Sequence, residues 1–167
     1  MALRSYIYTL IIAFFFVSIF TACDKHLSNG RRPAGLHYDT TTTAIIPFNP
    51  EYKYPFDSSF KQAMLTQKEL KDVDSLVIAC VAWYNNELDN DHKKWQINLK
   101  KRHYRKQLIV VKNKNGEKEV WVNFFCSGRD KWKHEMVDVM DGGNCYFNFK
   151  INLATKQFYD LMVNGFA

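Results

Sequence analysis

The chain has 167 residues, with 23 Lys and Arg against 17 Asp and Glu, a formal charge of +6. That length suits one domain plus a tether and excludes a multidomain assembly. Aromatic residues make up 16% while Gly (7) and Pro (4) are few, which excludes low-complexity, collagen-like and wholly disordered classes.

The first predicted element is a leader. Arg4 precedes an apolar run from Tyr6 to Phe20, and Thr21-Ala22-Cys23 follows. A positive start, a short apolar run and small residues at its end make a secretory signal. The run falls short of the roughly 20 apolar residues of a spanning helix, so an uncleaved anchor helix is the weaker reading. Both readings place the rest of the chain outside the cytoplasm. The string Phe20-Thr21-Ala22-Cys23 resembles a lipobox, with Phe20 standing where Leu is usual. The resemblance implies that residues 1–22 are removed and that Cys23 receives diacylglycerol and acyl chains such as palmitate. Each buried CH2 of those chains contributes about 0.8 kcal/mol of membrane affinity. Asp24 fits inner-membrane retention in enterobacterial-type sorting and surface export in Bacteroidota-type lipoproteins, so the expected place is the cell envelope, at the periplasmic face or the outer-membrane surface.

With Cys23 lipidated, Cys80, Cys126 and Cys145 remain. At most one intramolecular disulfide can then form, and one thiol stays free. No Cys-x-x-Cys spacing occurs, so zinc and redox motifs find no support.

Residues 23–44 are polar and without period and read as a flexible lipidated tether. A single domain is expected over 45–167. Its opening stretch, IIPFNPEYKYPF (45–56), carries Pro47, Pro50 and Pro55, which bars a central strand and predicts an extended segment lying on the surface. Thr66 with Glu69 forms a capping-box pattern after the apolar Leu65. Leu70, Val73, Val77, Cys80, Val81, Tyr84 and Leu88 then recur at helical spacing. Cys80 falls on that buried face and reads as a small core residue.

From about residue 95 the period becomes two. Leu108–Val111 and Glu119–Cys126 flank Asn115-Gly116, the preferred pair for a type I′ turn. That turn would pair Val111 with Val120 and Ile109 with Val122 on the face of Phe124 and Cys126. The other face would hold Leu108, Val110, Trp121, Asn123 and Phe125. A second hairpin is expected from Glu135–Met140 through Gly142-Gly143-Asn144 to Cys145–Ile151, and a last strand from Phe158 to Val163. The expected fold class is therefore α+β, one main helix on a roughly five-stranded antiparallel meander. This is the layout of cystatin-like and NTF2-like domains. The closing stretch DGGNCYFNFKINLATKQFYDLMVNGFA, with WVNFFC before it, resembles small Bacteroidota-type lipoproteins of undefined function. The resemblance covers about the last 60 residues and brings no active site.

No catalytic constellation stands out. Cys126 and Cys145 at sheet positions with His134 in the intervening loop could form a Cys–His pair, but a cross-strand disulfide or two buried thiols fit better. Their ends coincide if the meander holds. His26, His37, His92, His103 and His134 are scattered, and Asp89-Asn90-Asp91 opens like a calcium loop without its Gly or its final Glu. No metal and no cofactor is expected. Lys93, Lys94, Lys100, Lys101, Arg102, Arg105 and Lys106 crowd one segment with Trp95 and Tyr104. The pattern resembles a nucleic-acid patch, but a secretory leader argues against that partner. A solvated strand edge, an acidic protein partner or anionic headgroups remain. Trp121, Asn123, Phe125, Tyr146 and Asn148 would share the second sheet face, where aromatics with amides suit a contact surface. Cover by residues 45–60 is the competing expectation. The functional expectation is a non-catalytic, membrane-anchored envelope lipoprotein binding a protein through that face or through Lys100, Lys101 and Arg102, in an immunity or inhibitor role. The alternative is an NTF2-like ligand pocket or enzyme, which would need Asp138 or Asp160 pointing inward.

Overall fold

The computed structural model describes residues 35–127 and 130–165. The leader, Cys23 and the chain up to residue 34 lie outside them. The folded body is α+β, with one helix packed on a mixed six-stranded sheet.

Order begins earlier than the expected boundary at 45. Asp39 accepts hydrogen bonds from the amide of Thr41 (2.8 Å) and the hydroxyls of Thr41 and Thr42, folding the Asp-Thr-Thr-Thr stretch into a turn. That turn launches β1 (Thr43–Ile45), and Leu36 before it is buried in the main core. Residues 35–44 thus belong to the domain. β1 pairs in parallel with β3 (Arg105–Lys112), and β2 (Lys61–Gln62) pairs antiparallel with the other half of the same edge. An all-antiparallel meander was expected; the parallel pair departs from it because the chain between β1 and β2 leaves the edge and crosses the sheet.

α1 (Gln67–Glu87) starts as the sequence predicts. Thr66 Oγ1 accepts from the Glu69 amide (3.2 Å), and the Glu69 carboxylate accepts from the Thr66 amide (2.7 Å). Such a cap contributes about 1 kcal/mol. Burial opposes ionisation of Glu69, but hydrogen bonds from Lys118 and Thr66 outweigh it and hold its carboxyl below the usual range. Leu70, Val73, Val77, Cys80 and Val81 face the sheet, while Tyr84 and Leu88 are half-buried. Cys80 is fully buried, and that burial pushes its thiol up to about 12, far from a reactive thiolate.

β4 (Lys118–Phe125) follows a turn that differs from the expected one. Asn113 and Glu117 pair around Lys114-Asn115-Gly116, with Gly116 at φ +80 and Asn113 Oδ1 accepting from the amides of Asn115 and Glu117. This three-residue loop with a left-handed glycine shifts the register by one. Val110 opposes Val120 and Leu108 opposes Val122. Leu108, Val110, Val120, Val122 and Phe124 therefore face the helix, and Ile109, Val111 and Trp121 face away.

β5 (Tyr146–Asn152) pairs directly with β4, and β6 (Gln157–Val163) closes the sheet in the order β1-β3-β4-β5-β6. The expected strand over Glu135–Met140 does not form. Both edges of β5 are taken, so residues 130–142 lie over the second sheet face instead.

Candidate binding site

The cover of that second face is built on a row of amides. Gln107, Asn123 and Asn148 are neighbours across β3, β4 and β5, and Met162 of β6 ends the row. Gln107 donates to the carbonyls of Trp132 and Glu135 and accepts from the Val137 amide (2.9 Å). Asn123 donates to the Val137 carbonyl (2.8 Å). Buried amides must find partners, and here they find them on the backbone of an irregular segment. Trp132 and Val137 then pack on Phe125 and Ala44. The disulfide between Cys126 and Cys145, with Cα atoms 5.2 Å apart, closes the same excursion at its neck.

The second cover is residues 46–60. Ile46 and Phe56 pack on Ile109, Val111 and Trp121. Tyr54 stands edge-on to Trp121, with ring centroids 5.8 Å apart, and its hydroxyl donates to Asn148 Oδ1 (2.6 Å). The Trp121 indole N–H points at the same two oxygens, 3.2 Å from each. Burial pushes the Tyr54 phenol above its ordinary value, reinforced by the charges of Asp138 and Asp160.

The sequence-predicted face is thus assembled but covered. Trp121 is 2% exposed, Asn123 6% and Phe125 0%. Tyr146 and Asn148 are half-buried and, with Trp121 and Asn123, line a cleft of about 480 Å3 between the two covers and β6. Trp121 and Phe125 act there as core, and only the rim at β5 and β6 is reachable by a partner.

The basic segment divides. Lys106 pairs with Asp74 of α1, and Arg105 lies over the Trp132 ring at 5.4 Å. Lys93, Lys94, Lys100, Lys101 and Arg102 stay exposed in the loop between α1 and β3, not on a strand edge. Asn98 accepts from the amides of Lys100 and Lys101 and fixes that turn. Asn85 ties the same loop to the helix by exchanging two 2.8 Å hydrogen bonds with the backbone of Ile97.

A second surface was not legible beforehand. Where the C-terminal half of α1 meets β6, Trp83, Tyr84, Leu88, Trp95, Phe158 and Leu161 line a groove of about 680 Å3. Trp83 packs on Phe158 with centroids 5.8 Å apart and is still 49% exposed. Lys94 lies 5.9 Å above the Trp95 ring, so the exposed lysines begin at the groove's rim. The available signal was Trp83 standing off the apolar helical stripe. Among the described residues no strand pairs with the outer edge of β6. The Asn164 amide donates to the Tyr146 carbonyl (3.0 Å). By the alternation of antiparallel pairs, the backbone groups of Leu161 and Val163 then point to the free side.

Among the described residues no three His, Cys, Asp or Glu gather as metal ligands, and no helix is long and apolar enough to cross a membrane. Asp138 and Asp160 lie on the exposed surface, one at each groove, with Asp160 paired to Lys150. Comparison with protein families, with characterised proteins and with solved structures finds no match.

Proposed function

We propose that this chain is a lipid-anchored envelope protein that binds another protein, taking an extended acidic segment of its partner along the free edge of β6. The observation that carries this reading is an edge with no strand partner among the described residues, beside an aromatic groove with exposed lysines at its rim. An added strand gains affinity from main-chain hydrogen bonds and specificity from side-chain pockets. Trp83, Trp95 and Phe158 supply the pocket, and Lys93, Lys94, Lys100, Lys101 and Arg102 supply steering for an acidic partner. The one-helix-on-sheet layout is like that of cystatin-like inhibitors, which suits an inhibitor or immunity role, though fold analogy alone carries no function.

The anchor and the docking are tested separately. Cells fed a tagged fatty acid should label the protein, and Cys23→Ala should abolish the label; persistence of the label in that variant refutes the lipoprotein reading. A photo-crosslinking residue at Trp83 in intact cells should give one discrete adduct, and the same residue at the more exposed Met64 should not. Reversing Lys93 and Lys94 to Glu should cut the adduct several-fold. Equal adducts from both positions would count against β6 docking.

The NTF2-like alternative draws on the same groove as a small-molecule site. Leu70 to Phe149 form a continuous core between helix and sheet, a groove of about 470 Å3 at Asp74, Tyr104 and Lys106 is rimmed by polar side chains, and the larger, aromatic groove at Trp83 is where such a ligand would sit. A ligand that raises the melting temperature and is displaced by Trp83→Ala would favour it.

A further inference from the structure

The two bonded cysteines sit in unequal surroundings. Cys126 follows β4 and Cys145 precedes β5, 19 positions apart, and both are only partly buried, whereas the free Cys80 is sealed in the main core. A solute can therefore approach the bond and not the third thiol. The Arg102 guanidinium donates to Cys126 Sγ across 4.0 Å. Among the described residues no hydrogen bond reaches Cys145 Sγ.

Arg102 is held in place by its own backbone. Its amide donates to the Asn98 carbonyl (3.3 Å) and its carbonyl accepts from the Tyr104 amide (2.9 Å). It has no carboxylate partner among the described residues, so its charge is not spent elsewhere. A guanidinium stays protonated at every ordinary pH. A neighbouring cation stabilises a thiolate, and in exchange the sulfur that forms the better thiolate leaves faster. The pair lacks the close spacing of redox motifs; the fold supplies the asymmetry instead.

We propose that Cys126–Cys145 is a thiol–disulfide exchange site whose substrate is an external dithiol, attacked at Cys145 with Cys126 as the leaving sulfur. The thiolate of the dithiol bonds to Cys145 Sγ, the Cys126–Cys145 bond breaks, and its electron pair goes to Cys126 Sγ beside Arg102. The second thiol of the dithiol then displaces Cys145, leaving two cysteine thiols here and one disulfide in the substrate. Reduction opens the neck of the excursion over the second sheet face, which is then held by the amides of Gln107 and Asn123 and by Trp132 and Val137. The site is separate from docking at the β6 edge, whose test reverses Lys93 and Lys94 and leaves Arg102 in place.

The test uses the whole folded chain carrying Cys23→Ser, reduced glutathione as the attacking thiol and N-ethylmaleimide as the quench. Peptide mapping should find glutathione on Cys145 with maleimide on Cys126 at about fivefold over the converse arrangement. Arg102→Gln should slow thiol release by dithiothreitol several-fold and erase that preference, with an unchanged circular dichroism spectrum, and Arg102→Lys should restore most of it. In Cys145→Ser the pH profile of Cys126 alkylation should have its midpoint below that of Cys145 in Cys126→Ser, and Arg102→Gln should close the gap. No thiol released from the folded protein, glutathione chiefly on Cys126, or an Arg102→Gln variant that behaves as wild type would each overturn the site.

Discussion

Trp121→Ala should lower the unfolding free energy by about 3–5 kcal/mol, the range for removing a buried aromatic from a core. The residue sits at the centre of the second core, against Ile46, Phe56, Ile109 and Val111, and is 2% exposed. Its loss opens a cavity that the flanking β4 backbone, paired on both sides, has little freedom to collapse. It also releases Tyr54 from its edge-on contact and so loosens the whole 46–60 cover. Domains of this size hold only about 5–15 kcal/mol in total, so the variant should be partly unfolded near body temperature. Chemical denaturation followed by far-ultraviolet circular dichroism measures it. Trp121→Phe keeps most of the buried area and gives up the indole hydrogen bond, so it should cost about 1–2 kcal/mol, less than the alanine truncation. An unchanged midpoint in the alanine variant together with loss of a protein partner would mean that Trp121 is a contact residue and that the cover opens.

The second large effect concerns the disulfide. Cys126→Ser with Cys145→Ser should destabilise the chain by about 3 kcal/mol, the loop-entropy value for a closed loop of roughly 20 residues. The ends of β4 and β5 are already paired, Phe125 opposite Tyr146, so the sheet itself should survive. What weakens is the excursion over its second face. Trypsin should therefore cut the reduced or substituted protein first at Lys131 and Lys133, both exposed in that excursion, ahead of sites in the strands. Wild type should become equally sensitive on adding reductant, while the double serine variant should not respond to it. Identical denaturation midpoints for wild type and variant would refute a stabilising bond.

The helix and strands β3 to β6 were readable because local chemistry determines each, while the Cys126–Cys145 bond was one of two expectations and needed the sheet to settle it. A capping box, a 3.6 period and alternating apolar runs leave few competing structures. The register of the β3–β4 hairpin was misread because Asn115-Gly116 serves two turns. With Asn113 able to accept two backbone hydrogen bonds, the three-residue loop wins, and β3 turns its other face to the helix. The segment Glu135–Met140 alternates like a strand, yet its backbone partners are the side chains of Gln107 and Asn123, far away in sequence. A polar residue amid apolar strand positions was the visible trace of that, and it read instead as a contact surface. The candidate face was correctly gathered from Trp121, Asn123, Phe125, Tyr146 and Asn148. Whether another segment lay over it was a tertiary question, and the competing expectation of cover by 45–60 proved right for half the face. The groove at Trp83 depends on how α1 diverges from β6, which no local pattern encodes.

β1 has a consequence for the order of assembly. Its partner residues lie in β3, so Thr43 must wait for Lys106 before its ladder can form. Loop closure over such a span comes late, after the helix and the β3–β4 hairpin have formed locally. In a chain that emerges with its amino terminus leading, the first strand out must wait for β3 before it can dock. Until it does, Ile45, Ile46 and Phe48 stay uncovered, and β3 keeps an open edge next to them. The newly emerged chain therefore passes through a sticky interval whose length is set by the arrival of residues beyond 112, and a holdase that recognises short apolar stretches would find its target at the front of this protein.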